Sequence, residues 1–153
     1  MDDNHLELVH LLREVTIAFG LRQAEFAAAH GMHPTDVRAL VCLLDAARAA
    51  EPATAGILGA RLGLNSAGTT AVIDRLERLG HVTRTRDPHD RRRVLLSVTP
   101  EATRLGRAFF GPAIEALAGA TASLGPTERE AVRGFLTTAR AAFGDGGATG
   151  DGA

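Results

Sequence analysis

The chain has 153 residues, 45% hydrophobic and 23% charged, with a net charge of −1; that suits one globular domain or one subunit of an obligate dimer. No apolar run approaches the roughly 18 residues of a membrane span, and the acidic opening MDDNHLELVH carries no export signal, so the expected location is the cytoplasm. The single cysteine, Cys42, excludes an internal disulfide framework and a CxxC metal or redox pair.

The apolar positions Leu8, Leu12, Val15, Phe19 and Phe26 recur at helical spacing and predict one long helix from about Asp3 to Ala29, with Gly20 as a point for a bend. HGMHP ends it, and Pro34 suits the first position of a second helix carrying Val37, Leu40, Val41 and Leu44. EPAT closes that helix, and Thr54 is placed to cap a short third one with Ile57, Leu58 and Leu62. Gly63 stops it before a fourth helix begins at Asn65 or Ser66, turns Val72, Ile73, Leu76 and Leu79 inward, and ends at Gly80. There the period falls to two. Val82, Arg84 and Arg86 alternate with threonines, and Val94, Leu96 and Val98 alternate with Leu95 and Ser97, which predicts two strands. DPHDRR between them, with Pro88 unable to extend a strand, reads as a hairpin loop long enough to project. Thr99 and Pro100 open a fifth helix bearing Leu105, Phe109, Ala113 and Leu117. SLGPTERE separates it from a sixth with Val132, Phe135, Leu136, Ala139 and Phe143, and a glycine-rich tail, read as disordered, follows.

Charge is unevenly spread along this order. Residues 75–93 hold seven arginines against three acids, a local excess of +4 in a chain of net charge −1. The eight residues RDPHDRRR at 86–93 alone contain four of those arginines. A basic segment in an otherwise acidic chain fits a localised polyanion footprint. The chain has no lysine, so every fixed cation is a guanidinium, suited to bidentate phosphate contacts or a narrow groove. A genome-wide codon bias accounts for that choice equally well.

The expected fold is mainly α with a small β-hairpin: a winged helix-turn-helix, in which the second helix of the pair enters the DNA major groove and the hairpin reaches alongside. Residues 58–102 resemble the multiple antibiotic resistance regulator (MarR) family, most strongly in DRLERLG at 74–80 and RDPHDRRRVLLSVTPEA at 86–102. The resemblance extends more loosely over nearly the whole chain. It implies a homodimeric transcriptional regulator, most often a repressor, that binds a pseudo-palindromic double-stranded operator and is released by a small aromatic or phenolic ligand. It also implies dimerisation helices at both ends. The domains expected are an N-terminal dimerisation helix at 1–32, the winged helix-turn-helix at 33–99, C-terminal dimerisation helices at 100–143 and a disordered tail at 144–153.

Expected DNA contacts fall on two segments. At the start of the fourth helix, Asn65, Ser66, Ala67, Gly68, Thr69 and Thr70 offer backbone NH groups to a phosphate and hydroxyls to backbone or base edges. The family commonly carries larger polar residues near Ser66 and Ala71, so base discrimination by this helix should be modest. In the basic segment, Arg91 is the expected groove-entering tip, with Arg84, Arg86, Arg92 and Arg93 on the backbone and Arg75 in support. By resemblance, Asp87 and Asp90 brace the wing by pairing with arginines such as Arg75 or Arg91; an aspartate can also cap the turn's own backbone.

Cys42, on an apolar helix, reads as packing rather than a redox sensor. His5 with His10, or His30 with His33, lack the partners of a metal site, and no cofactor is expected. The family's ligand pocket would lie between the first, second and fifth helices, where His10 and Arg13 could face an anionic aromatic. No nucleophile–base pair or glycine-rich cofactor loop suggests an enzyme. The alternative to a DNA reader is a winged-helix interaction module whose arginines dock an acidic partner.

Overall fold

A computed structural model describes residues 3–144. It contains α1 (Asp3–Ala29), α2 (Pro34–Arg48), α3 (Ala55–Leu62), α4 (Ser66–Arg78), β1 (Val82–Arg86), β2 (Val94–Val98), α5 (Pro100–Ala122) and α6 (Pro126–Gly144). The expected element order is therefore the observed one. The strands pair antiparallel with Val82 opposite Val98 and Arg86 opposite Val94. The chain divides into two compact units, Met1–Leu105 and Gly106–Ala153.

The first unit holds the core. Phe26 and Ala27 of α1, Val37, Leu40 and Leu43 of α2, Leu58 of α3, Val72, Ile73 and Leu76 of α4, Val82 of β1 and Leu96 of β2 are all buried. Each large side chain among them contributes roughly 1.5–3 kcal/mol relative to exposure. β2 is also tied to the segment between α2 and α3, because the Leu96 amide donates to the Ala53 carbonyl at 2.8 Å. α2 ends in an unusual way: Ala50, past its last turn, adopts φ 53° while the Glu51 amide returns to the Ala46 carbonyl. That left-handed closure is the one glycine normally supplies.

The predicted stripe of α1 is only partly inward. Phe26 is buried, whereas Leu8, Val15 and Phe19 are exposed, as are Leu6, Val9, Leu11, Ile17 and Leu21. The helix outruns the core that could cover it.

In the second unit, Ile114, Leu117, Val132, Leu136 and Phe143 are exposed. α5 runs through Pro112, whose ring nitrogen gives up the bond to the residue four earlier. The break before α6 is shorter than SLGPTERE suggested, because Pro126 takes the first helical position and the Glu128 carboxylate accepts from the Gly125 amide at 2.7 Å. Of the expected tail, Gly144 closes α6 and residues 145–153 lie outside the described residues.

Candidate nucleic-acid interface

The two short helices are set by their caps. The Thr54 hydroxyl accepts from the Ile57 amide at 3.3 Å, and the Asn65 side chain accepts from the Gly68 amide at 2.8 Å. Between them Gly63 takes φ 65° and the Leu64 amide returns to the Gly59 carbonyl at 2.9 Å. α3 and α4 then approach so closely that a Cβ on Gly59 would stand 2.5 Å from the Thr69 hydroxyl oxygen. Thr69 is accordingly buried, and its hydroxyl donates to the Asn65 carbonyl at 2.9 Å.

The hydroxyl of Thr69, expected to be offered to DNA, is thus turned into the α3–α4 crossing. Asn65 spends its side-chain oxygen on the cap. Ser66, Ala67, Thr70 and Ala71 are exposed, and Gly68 is half-buried between them. The outer face of α4 thus begins with methyls and two hydroxyls and continues to Asp74 and Glu77, both exposed.

Arg75 does not brace the wing. Its Nε and Nη2 donate to Asp36 Oδ2 and Oδ1 at 2.8 and 2.6 Å, and Asp36 is fully buried at the start of α2. Asp36 Oδ2 also accepts from the His33 amide at 2.8 Å, closing half of a capping box. The Asp36 hydrogen bonds raise the Arg75 pKa above the ordinary arginine value. This bidentate pair fixes the angle between α2 and α4, and sequence reading missed Asp36 altogether.

Arg84 is likewise committed. Nη2 meets Asp74 Oδ1 at 2.6 Å and Nη1 meets Glu77, so one guanidinium on β1 bridges both exposed acids of α4 and offsets one of their two charges. Hydrogen bonding to Asp74 is the main reason its pKa is raised. Arg84 is thus a strap between wing and helix rather than a free phosphate ligand.

The wing loop is stiffened from within. Asp87 Oδ1 accepts from the His89 amide at 2.8 Å, and Asp90 Oδ1 accepts from the Arg92 amide at 3.0 Å. The Asp87 amide donates to the Arg93 carbonyl at 3.0 Å, and the Arg93 amide to the Asp90 carbonyl at 2.9 Å. These are aspartate-led turns. The buried Asp87 pairs with Arg93 at 3.8 Å, not with Arg75 or Arg91, and Asp90 holds backbone only. Among the described residues, Arg86, Arg91 and Arg92 have no carboxylate within ion-pair distance, and all three are exposed. Two of these guanidinia, Arg91 and Arg92, therefore sit on a loop whose shape is held by two aspartates, and the third, Arg86, stands at the end of β1 where the loop begins.

Elsewhere, His10 lines a shallow depression of about 300 Å³ walled by α1 alone, with Leu6, Glu7, Leu11 and Glu14; Arg13 lies outside it. Cys42 is half-buried, and desolvation raises its pKa against the pull of Arg61 and Arg38, which disfavours a reactive thiolate. Among the described residues no cluster of three metal-ligating side chains occurs, and no helix is long and apolar enough to cross a membrane.

The MarR family model matches residues 30–93, from the end of α1 through the wing loop. Over 107 residues, 70% of this chain and 67% of its relative, the sequence is 36% identical to the uncharacterized HTH-type transcriptional regulator YcgE of Bacillus subtilis (strain 168). The chain belongs to the MarR family. A second B. subtilis regulator, YkoM, is 35% identical over 94 residues, 54% of this chain and 58% of its own. The MarR family protein from Bacillus stearothermophilus superposes with a TM-score of 0.62 at 25% identity, over 93% of this chain and 97% of that one. The MarR fold is shared too by S. aureus MepR in its DNA complex, at TM-score 0.57 and 18% identity, over 88% of this chain and 98% of that one. As a MarR-family transcriptional regulator the chain has the winged-helix DNA-binding fold, with α3 and α4 as the helix pair and β1–β2 as the wing.

Proposed function

We propose that two copies of this chain form a dimer that binds a pseudo-palindromic DNA operator and represses transcription from it, in the cytoplasm. Each copy would set the outer face of α4 in the major groove and Arg91 in the adjacent minor groove, with Arg86, Arg92 and the partly paired Arg93 against phosphates. The observation that carries this reading is the trio of guanidinia that have no ion-pair partner among the described residues, Arg86 at the end of β1 and Arg91 and Arg92 on the loop stiffened by Asp87 and Asp90. The DNA complex of MepR, a protein of the same fold, supports it. So do the exposed apolar residues of α1 in the first unit and, separately, those of α5 and α6 in the second, which suit burial in a partner subunit better than contact with water. Half-sites would then be about one helical turn, roughly 10 base pairs, apart. A small aromatic effector that relieves binding remains part of the reading, with His10 and Arg13 on α1 as its candidate contacts.

The test is selection from a random duplex library, followed by mobility-shift titration of the winning duplex with Arg91→Ala and Arg140→Ala. Arg91→Ala should weaken binding and Arg140→Ala should not; equal behaviour of the two would remove the wing from the interface. One observation favours a second reading. Ser66, Ala67, Thr70 and Ala71 present no long polar side chain to a base, as expected of a winged-helix module that docks an acidic protein. Recovery of no enriched palindrome would favour that module.

A further inference from the structure

His81 lies in the turn from α4 to β1 and is 7% exposed, and its Nδ1 has no hydrogen-bond partner among the described residues. Its backbone is fully engaged. The amide returns to the Leu76 carbonyl at 2.9 Å, closing α4, and the carbonyl accepts from the Thr99 amide at 2.9 Å where β2 passes into α5. The Thr99 hydroxyl donates to the neighbouring Gly80 carbonyl at 2.8 Å. The ring is thus enclosed where the end of α4 and both strands of the wing are tied together.

Two titratable groups face it from other elements. One is His30, just past α1, which would repel a charge on His81; the other is Glu101 in the first turn of α5. Glu101 is already held by Arg104 through two hydrogen bonds of 2.6 and 3.1 Å and is exposed, so it offers little compensation. Burial, reinforced by His30 and opposed by Glu101, pushes the His81 pKa below the ordinary histidine value. A neutral ring with a bare Nδ1 lone pair is tolerable there. A second N–H at this buried, unpartnered Nδ1, with its positive charge, is not.

We propose that His81 is a proton-sensitive joint between α4 and the wing: uncharged it lets the turn close, and protonated it opens the Thr99 ties and frees the wing. The folded state excludes the proton, so closure is complete above the ordinary histidine pKa of about 6.5 and weakens as pH falls below it, down to the lower folded-state value. Weaker operator binding in acid follows, and that consequence alone rests on the DNA reading above.

The test uses the full-length protein without DNA, from about pH 7.5 to about pH 5.5, a range that brackets the ordinary histidine value. Ring resonances of the histidines give the His81 titration, and amide hydrogen exchange, corrected for intrinsic rates, gives protection at Leu96 and Thr99. His81 should titrate below the ordinary value. Protection should hold steady down to about pH 6.5 and fall by up to about tenfold per pH unit below it, the fall should vanish in His81→Gln, and it should shrink in His30→Gln. A His81 ring that titrates at the ordinary value, or protection that stays flat in wild type, overturns the joint, as does an equal fall in His81→Gln. Should His81→Gln not fold, the wild-type titration and His30→Gln decide. A selected duplex bound equally well at both ends of the range while protection falls would tell against the wing as a DNA contact and leave the joint standing.

Discussion

Asp36 and Arg75, 39 positions apart, meet through two parallel hydrogen bonds with the carboxylate fully buried and the guanidinium 28% exposed. The pair spans α2 and α4, so it sets the pose of the second helix of the helix-turn-helix pair. Removing one partner of such a pair strands the other as a buried charge, which costs more than the intact pair contributes. Arg75→Ala should therefore destabilise the protein by about 3 kcal/mol in urea unfolding at matched protein concentration. Asp36→Ala combined with Arg75→Ala should be less damaging than the two losses added. A loss within about 0.5 kcal/mol of zero, the usual range for surface changes, would show the pair to be incidental.

The approach of α3 to α4 makes a second expectation. A methyl on Gly59 meets the Thr69 hydroxyl oxygen at 2.5 Å and the Leu64 carbonyl at 3.3 Å. Gly59→Ala should cost about 1–3 kcal/mol through overpacking. Thr69→Ala removes the nearest of those atoms, so the double variant should regain part of the loss; thermal unfolding of the three variants checks the ordering.

Ala50 carries φ 53° at the close of α2. A side chain there is strained by roughly 1–2 kcal/mol, while glycine adds some freedom to the unfolded chain. Ala50→Gly should still be net stabilising, by about 0.5 kcal/mol. A lower melting temperature would contradict this account of the turn.

The salt dependence of operator binding separates the arginines by what they hold. Each phosphate contact contributes about 0.9 to the slope of log affinity against log salt. Arg86→Ala and Arg92→Ala, at unpaired positions, should each flatten that slope by about 0.9 per subunit. Arg104→Ala, in a surface pair with Glu101, should leave it unchanged. If all three variants share one slope, the wing arginines are not phosphate ligands.

Much of the scaffold could be read from local chemistry. Pro34, Thr54, Gly63 and Asn65 mark helix ends because their backbone preferences act within three or four residues, and the Val82/Leu96 alternation marks the strands for the same reason. What failed is mostly nonlocal. Nothing near Arg75 in sequence points to Asp36, and nothing in the wing motif says that Arg84 is taken by Asp74 and Glu77. Thr69 is different, since the signal was present: it lies three and four residues before Val72 and Ile73, on the stripe that turns inward. The α1 stripe is visible in the sequence but its exposure is not, because periodicity marks one face of a helix and not what packs against it.

Arg84 limits how this protein can diverge. Its one guanidinium restrains two carboxylates on the neighbouring helix, so a lineage that lost it alone would leave two bare negative charges on the outer face of α4. Positions 74, 77 and 84 are therefore expected to change together or not at all. Ser66, Ala67, Thr70 and Ala71 carry no such obligation among the described residues, and a daughter regulator acquiring a new target would find its cheapest substitutions there.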